Sequence, residues 1–366
     1  SAASDVYKRQ ESLTPDMGGS AEVAFKEASD SGLLLGGQKI VSVRADSTCI
    51  DNAAATAAAE RLVTSEKVAG IMGADCSGVT TAVANNVAVP NGVPMISPSA
   101  TSPALTTIAD NGYFFRTAPS DARQGQVLAS ITVERGITSV AVTYVNSDYG
   151  KGLSDSFGKA FQALGGTVTI SVPHETGKAD YSAEVASMDS AGGDAMAVFG
   201  YVNQGGPGIM QASLDSGSFD KFILADGMYG DDLLTNVEGD LTGTFGTVPG
   251  TDSKGAATYA DMANAAGLKG SGPFTGESYD AAALLILAMQ SAGSTDGAAI
   301  ASNVMGVANA PGEKIMPGEL AKGLRILANG GAVDYVGATN VELTGVGEAS
   351  GLSLIHISEP TRPLDI

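Results

Sequence analysis

Five short stretches decide the fold: SVAVTY (139–144), GLSDSFGKAFQAL (152–164), TVTIS (167–171), SAEVASMDS (182–190) and AMAVF (195–199). The first, third and fifth are apolar or alternating over five or six residues, as strands require. In the second, Leu153, Phe157, Phe161 and Leu164 recur at helical spacing. Strand, helix, strand, helix, strand with short turns between predicts parallel strands joined by right-handed helical crossovers. The same rhythm extends outward. Upstream, the pattern predicts helices over 21–29, 51–66 (capped by Asp51) and 78–86, and strands over 39–44, 67–72 and 93–96. Downstream it predicts a strand over 221–224 and a long apolar helix over 279–292.

The chain has 366 residues, 43% of them hydrophobic and 16% charged, which is enough apolar material for a large core. Its 48 glycines and lack of tryptophan suit tight turns and close helix packing. The formal charge of −20 argues against nucleic acid and against an anionic membrane surface as partners. No run approaches the 18 apolar residues of a membrane span.

Residues 1–10 and 352–366 differ in composition from the rest and look similar to translated adapter sequence; both are expected to be non-native. On that reading the first strand of the fold is missing. No linker separates two domains. Chain crossings between lobes are expected near Thr117–Asp121, where Arg116-Thr-Ala-Pro-Ser120 breaks the periodicity, and at the glycine-rich Thr247–Gly250 and Gly330–Asp334.

Five segments then stand in order along the chain: Ser97-Pro-Ser-Ala-Thr-Ser-Pro-Ala-Leu-Thr106, Phe115-Arg-Thr-Ala-Pro-Ser-Asp121, Asp148-Tyr-Gly-Lys-Gly152, Asp180-Tyr-Ser182 with Gly193-Asp194, and Glu277-Ser-Tyr-Asp280. Together they resemble the leucine/isoleucine/valine-binding branch of the type I periplasmic binding proteins. The resemblance covers about residues 11–350. It implies an α/β fold of two doubly wound parallel-sheet lobes joined by three crossings. Residues 11–118 and 249–331 would form the N-terminal lobe, 119–248 and 332–351 the C-terminal lobe. It also implies a small ligand at the carboxyl ends of the strands. Cys49 and Cys76, the only cysteines, each follow an inferred strand, and proteins of this branch carry a similar disulfide. Two free thiols are the alternative. A bridge would place the chain in an oxidising compartment such as the periplasm.

A free amino acid needs donors for its carboxylate and an acceptor for its ammonium. By resemblance, Ser77 and Thr101 grip the carboxylate, while the Ser99 carbonyl and Thr101 hydroxyl take the ammonium, with Ala100 between them. As isolated residues these serines read equally as helix caps. From the second lobe, Asp226 stands where the family places an acid for the ammonium, and Tyr149 and Tyr201 would close over the ligand. A turn aspartate and two core aromatics are the alternative readings. Tyr279 could line the pocket or simply pack.

The glycine-rich 200–208 stretch is neither a phosphate-binding loop nor a dinucleotide fingerprint. His174 has no second histidine near it for a metal site or catalytic triad and is expected on a surface loop. The expectation is a monomeric, non-enzymatic solute-binding protein of an ATP-driven importer. It would take an amino acid without a cofactor and pass it to a membrane permease. The alternatives are a ligand sensor of the same fold and a binder of amides, urea or small carboxylates.

Overall fold

The structure of the chain, a computed structural model, describes residues 2–5, 16–250, 253–350 and 356–357. The chain divides into two compact units, one containing residues up to 119 and again from 250 to 350, the other residues 120–249 and 356–357.

In chain order, the first unit opens with β1 (Ala2–Asp5), α1 (Met17–Ser31), β2 (Ser42–Ala45), α2 (Asn52–Thr64), β3 (Gly70–Met72), α3 (Ser77–Val83), β4 (Met95–Ser97) and β5 (Phe114–Arg116). The second unit contains α4 (Asp121–Glu134), β6 (Ser139–Val145), α5 (Asp148–Ala163), β7 (Thr167–His174), α6 (Ser182–Ala191), β8 (Ala195–Phe199), α7 (Gly206–Ser216), β9 (Phe222–Leu224), α8 (Asp231–Asn236) and β10 (Phe245–Val248). The chain then returns to the first unit with α9 (Lys254–Ala265), α10 (Thr275–Ala292), α11 (Gly297–Ala308), β11 (Glu313–Ile315), α12 (Leu320–Ala328) and β12 (Val333–Tyr335). The last described element, β13 (His356–Ile357), belongs to the second unit.

The first unit's sheet runs β2-β1-β3-β4-β5, all parallel. The second unit's runs β7-β6-β8-β9-β10, also parallel, with β13 added antiparallel beside β10. Counted within each unit, the strand order is the same doubly wound 2-1-3-4-5, so each sheet has its own switch point at the carboxyl ends of its strands.

Local chemistry accounts for the elements. Asp51 caps α2 by accepting from the N–H groups of Ala53 and Ala54, both at 3.0 Å. Helix α10 is apolar on every face from Ala281 to Met289 and is buried along nearly its whole length in the first unit's core. In the second unit, Leu153, Phe157 and Phe161 of α5 pack onto the sheet, with Phe157 edge-on to Phe199.

Three expectations are corrected. The first strand is present, because Ala2–Asp5 pairs with both β2 and β3. Strand pairing is made by the backbone, so an atypical composition did not reveal it. In the other end set aside, His356–Ile357 pairs with β10, and the remaining residues of both ends lie outside the described residues. The stretch 332–350, assigned in the sequence to the second lobe, lies in the first unit. There β12 pairs with β11, and Tyr335 donates to Asp280 of α10 at 2.7 Å. His174 is buried at the end of β7, with Nδ1 2.9 Å from the Thr143 hydroxyl. Burial lowers its pKa to about 4 despite the nearby Glu184 and Glu175, so the ring is neutral at pH 7.

Candidate ligand site

In the first unit, the turns after β3 and β4 carry the sequence-predicted residues. A disulfide joins Cys49, beyond β2, to Cys76, with a Cα–Cα distance of 5.0 Å, and so holds the start of α3 against the neighbouring turn. Ser77 is the first residue of that helix and not its cap. Its Oγ accepts from the Ser102 N–H at 3.1 Å, which ties the two turns together and leaves the hydroxyl proton as a donor. The Ser99 hydroxyl instead donates to the Asp75 carbonyl at 2.9 Å. The Ala100 N–H donates to Ser97 Oγ at 3.1 Å, and Ser97 Oγ donates to the Ala74 carbonyl at 2.5 Å. Ser77, Ala100 and Thr101 are buried and Ser99 is half-buried. The structure thus brings Ser77, Ser99, Ala100 and Thr101 into one hydrogen-bonded pair of turns.

Tyr279 does not join them. It lies inside the first unit's core, its ring 5.4 Å from that of Tyr259. Its hydroxyl donates to Glu27 Oε2 at 2.5 Å and accepts from the Gly318 N–H at 3.1 Å. The helix begins at Thr275, four residues before the predicted start, and Tyr279 is buried within its first two turns. Tyr279 is a packing residue.

In the second unit the carboxyl ends of β6, β8 and β9 bring Tyr149, Tyr201 and Asp226 together. The two tyrosine rings stack with centroids 5.0 Å apart. The Tyr149 hydroxyl donates to Asp226 Oδ1 at 3.2 Å and accepts from the Gly227 N–H at 3.2 Å. A side chain at position 227 would place its Cβ 2.4 Å from the Gly200 carbonyl oxygen and 2.9 Å from the Tyr149 hydroxyl, so glycine is required. Burial raises the Asp226 carboxyl to about 6, although hydrogen bonds from Gln124 and Tyr149 pull the other way. Burial likewise raises both tyrosines well above 10. The negative charges of Asp226, Asp121 and Asp148 raise Tyr201 further.

Two members of this cluster escaped the sequence reading. Asp121 is buried at the first position of α4, and its charge reaches both tyrosines. Gln124, one turn on, donates to the Thr247 carbonyl at 3.0 Å, and its amide lowers the Asp226 carboxyl. Asp121 ends the Phe115–Asp121 segment and was available as a signal. Gln124 had none, because its partners are set by the pairing of distant strands.

The first unit thus offers hydroxyl and amide groups on two braced turns. The second offers buried oxygen atoms with negative potential. Residues 9–320 match the family described as periplasmic binding protein. The chain belongs to that family, in its leucine/isoleucine/valine-binding branch. A Leu/Ile/Val-binding protein homolog 1 of Brucella abortus is 31% identical over 281 residues, 75% of this chain and 73% of its own length. The substrate-binding protein BasB of a chemotactic signal transduction system in Halobacterium salinarum is 27% identical over 317 residues, 85% of this chain and 74% of its own. Among solved structures, the leucine-binding protein LivK of Thermotoga maritima matches with a TM-score of 0.76 at 22% identity, covering 98% of each chain. At that identity the match speaks for the fold. Among the described residues no helix is long and apolar enough to cross a membrane, and no cluster of His, Cys, Asp or Glu could hold a metal ion.

Proposed function

We propose that the chain is the extracytoplasmic binding component of an ABC importer and that its ligand is an aliphatic α-amino acid. Ser77, Thr101 and the backbone around Ala100 take the carboxylate; the Ser99 carbonyl, the Thr101 hydroxyl and Asp226 take the ammonium; Tyr149 and Tyr201 supply the apolar wall. The observation that carries this reading is Asp226, a buried carboxyl among negative charges and tyrosines. A buried acid of this kind calls for a cation, and an ammonium supplies one. The hydroxyl donors of the other unit call for an anion, so the two sets ask for a zwitterion. Hinge closure onto the ligand would then shift the population toward a closed form. The relatives' names support the ligand class: besides the Brucella protein, a leucine-, isoleucine-, valine-, threonine- and alanine-binding protein of Pseudomonas aeruginosa is 29% identical over 283 residues. The Cys49–Cys76 disulfide supports a periplasmic setting, and we take the working form to be a monomer that delivers its ligand to a membrane permease.

The likeness to BasB favours a second reading, in which the same binding step serves chemotactic signalling. Permease and ATPase genes beside the coding sequence would favour transport; a transducer gene beside it would favour signalling. A thermal-shift screen of the common amino acids, their amides and small carboxylic acids tests the ligand class. The expected result is a rise in Tm with leucine, isoleucine or valine, and none with the deaminated acids at equal concentration. The reverse pattern would overturn the proposal.

A further inference from the structure

Arg116 is the last residue of β5, and its side chain is 1% exposed. Nη1 donates to the carbonyls of Ala100 at 3.1 Å and Ser102 at 2.8 Å. Nη2 donates to the Thr106 hydroxyl at 3.0 Å and to Glu348 Oε2 at 2.5 Å. Thr106 also donates to that carboxylate oxygen, at 2.8 Å. Glu348 comes from a turn far along the chain. Within that turn the Gly347 N–H donates to the Thr344 carbonyl and the Thr344 N–H to the Glu348 carbonyl, both at 2.8 Å. It is laced to β5 because the Arg116 N–H donates to the Gly347 carbonyl and the Ala349 N–H to the Arg116 carbonyl, both at 3.0 Å. Gly347 has φ +80°, and a Cβ there would lie 2.8 Å from the Phe115 ring. The strap therefore sits in one place and delivers one carboxylate to one guanidinium.

The consequence falls on Thr101. A trans peptide is planar, with its N–H opposite its C=O. Holding the Ala100 carbonyl on Arg116 turns the Thr101 N–H away from the guanidinium. Holding the Ser102 N–H on Ser77 turns the Thr101 carbonyl away from that hydroxyl. Both peptide groups of Thr101 are thereby oriented before any ligand arrives, and such preorganisation raises affinity by removing an ordering cost.

We propose that Arg116 and Glu348, linked by Thr106, are positioning residues that set the affinity of the site through the Thr101 peptide without touching the ligand. This rests on the reading of Ser77–Thr101 as part of an amino-acid site. The test is calorimetry of leucine, isoleucine and valine against the wild-type chain and the variants Arg116→Lys, Glu348→Gln and Thr106→Val, at a temperature where each is folded. The Thr101 amide is followed in ¹H–¹⁵N spectra. A lysine cannot hold these four acceptors in a fork. Tyr259→Phe, which removes a 2.6 Å bond from the Tyr259 hydroxyl to Ser20 elsewhere in the unit, is the purely structural control.

The expected result is a Kd weakened about tenfold for Arg116→Lys and about threefold to tenfold for the other two. The Thr101 amide should move in the ligand-free spectrum, and Tyr259→Phe should lower Tm with Kd unchanged. Should Arg116→Lys fail to fold, Glu348→Gln and Thr106→Val still decide the matter. A Kd within twofold of wild type in those two variants would overturn the positioning role, as would an equal loss in Tyr259→Phe. Failure of the wild type to bind any of the three amino acids would instead overturn the functional reading and this inference with it.

Discussion

Two buried aspartates, one in each unit, are raised by burial to the same value of about 6, yet their surroundings differ in kind. Asp280 of the first unit is saturated by its own chain: Oδ1 accepts from the Tyr335 hydroxyl and the Ala338 N–H, both at 2.7 Å. Its Oδ2 accepts from the Thr339 N–H at 2.8 Å and the Thr339 hydroxyl at 2.6 Å. Asp226 of the second unit accepts from the Tyr149 hydroxyl at 3.2 Å, and its charge and that of the buried Asp121 both act on Tyr149 and Tyr201. A saturated acid closes a fold. Asp226 accepts from Tyr149 on one oxygen, which leaves it acceptor capacity that Asp280 has already filled. An equal pKa does not distinguish the two, whereas the hydrogen bonds do: four donors close on both oxygens of Asp280, while the Tyr149 hydroxyl reaches one oxygen of Asp226 at 3.2 Å.

The largest effect is expected at the structural member of the pair. Asp280→Ala would leave two hydroxyls and two N–H groups in the first unit without their acceptor, at a cost of about 3–5 kcal/mol of stability. Chemical denaturation should show that loss while calorimetry shows leucine affinity unchanged in the folded fraction; a change in affinity without loss of stability would exchange the two roles. Replacing both Cys49 and Cys76 by serine opens a cross-link with a sequence separation of 27. The chain-entropy model gives a loss of about 3–4 kcal/mol, read from the same denaturation curves. Asp226→Ala should do the opposite of Asp280→Ala: leucine affinity falls by about 2–4 kcal/mol while stability holds or rises, since a desolvated charge has been removed. Unchanged affinity would take Asp226 out of the site.

The comparison also fixes a pH dependence. A raised folded pKa means that, between the ordinary carboxylate value and about 6, the folded chain holds a proton that the unfolded chain has released. Stability from this group therefore falls as pH rises through that window, and above it the ionised carboxyl is carried at a cost. Ligand binding reverses the sense, because an ammonium favours the ionised form. Leucine affinity should drop by about tenfold between pH 7.5 and pH 5, and Asp226→Asn should flatten that profile. A pH-independent affinity in the wild type would count against an ionised Asp226 as the ammonium's partner. His174 gives a second signal of opposite sign. Its lowered pKa contributes stability above about pH 6.5 that is lost as pH falls toward 4, and His174→Gln should remove that slope from the acid limb of the denaturation midpoint.

Much of this was readable in the sequence because α/β chains write their periodicity plainly. Strand β8 falls where the apolar run 195–199 put it, and Asp51 caps α2 as its position before an alanine-rich helix required. Tyr149, Tyr201 and Asp226 each followed a predicted strand and do converge at the ends of neighbouring strands. The misses have a common cause. His174, expected on a surface loop, is buried against Thr143, and the 332–350 stretch joins the first unit where Tyr335 meets Asp280; both partners lie more than 25 residues away. No local pattern reports such partners. The same holds for Arg116 and Glu348, 232 residues apart and joined by a strap whose only local mark is a glycine-rich turn.

The central claim is that the first unit reads an anion and Asp226 a cation on the same molecule. It is tested most directly by titrating wild type and Asp226→Ala with L-leucine and with 4-methylpentanoate, the same carbon skeleton without the ammonium. The substitution should weaken leucine by about 2–4 kcal/mol and leave 4-methylpentanoate unchanged or slightly tighter. Equal losses for both ligands would contradict it.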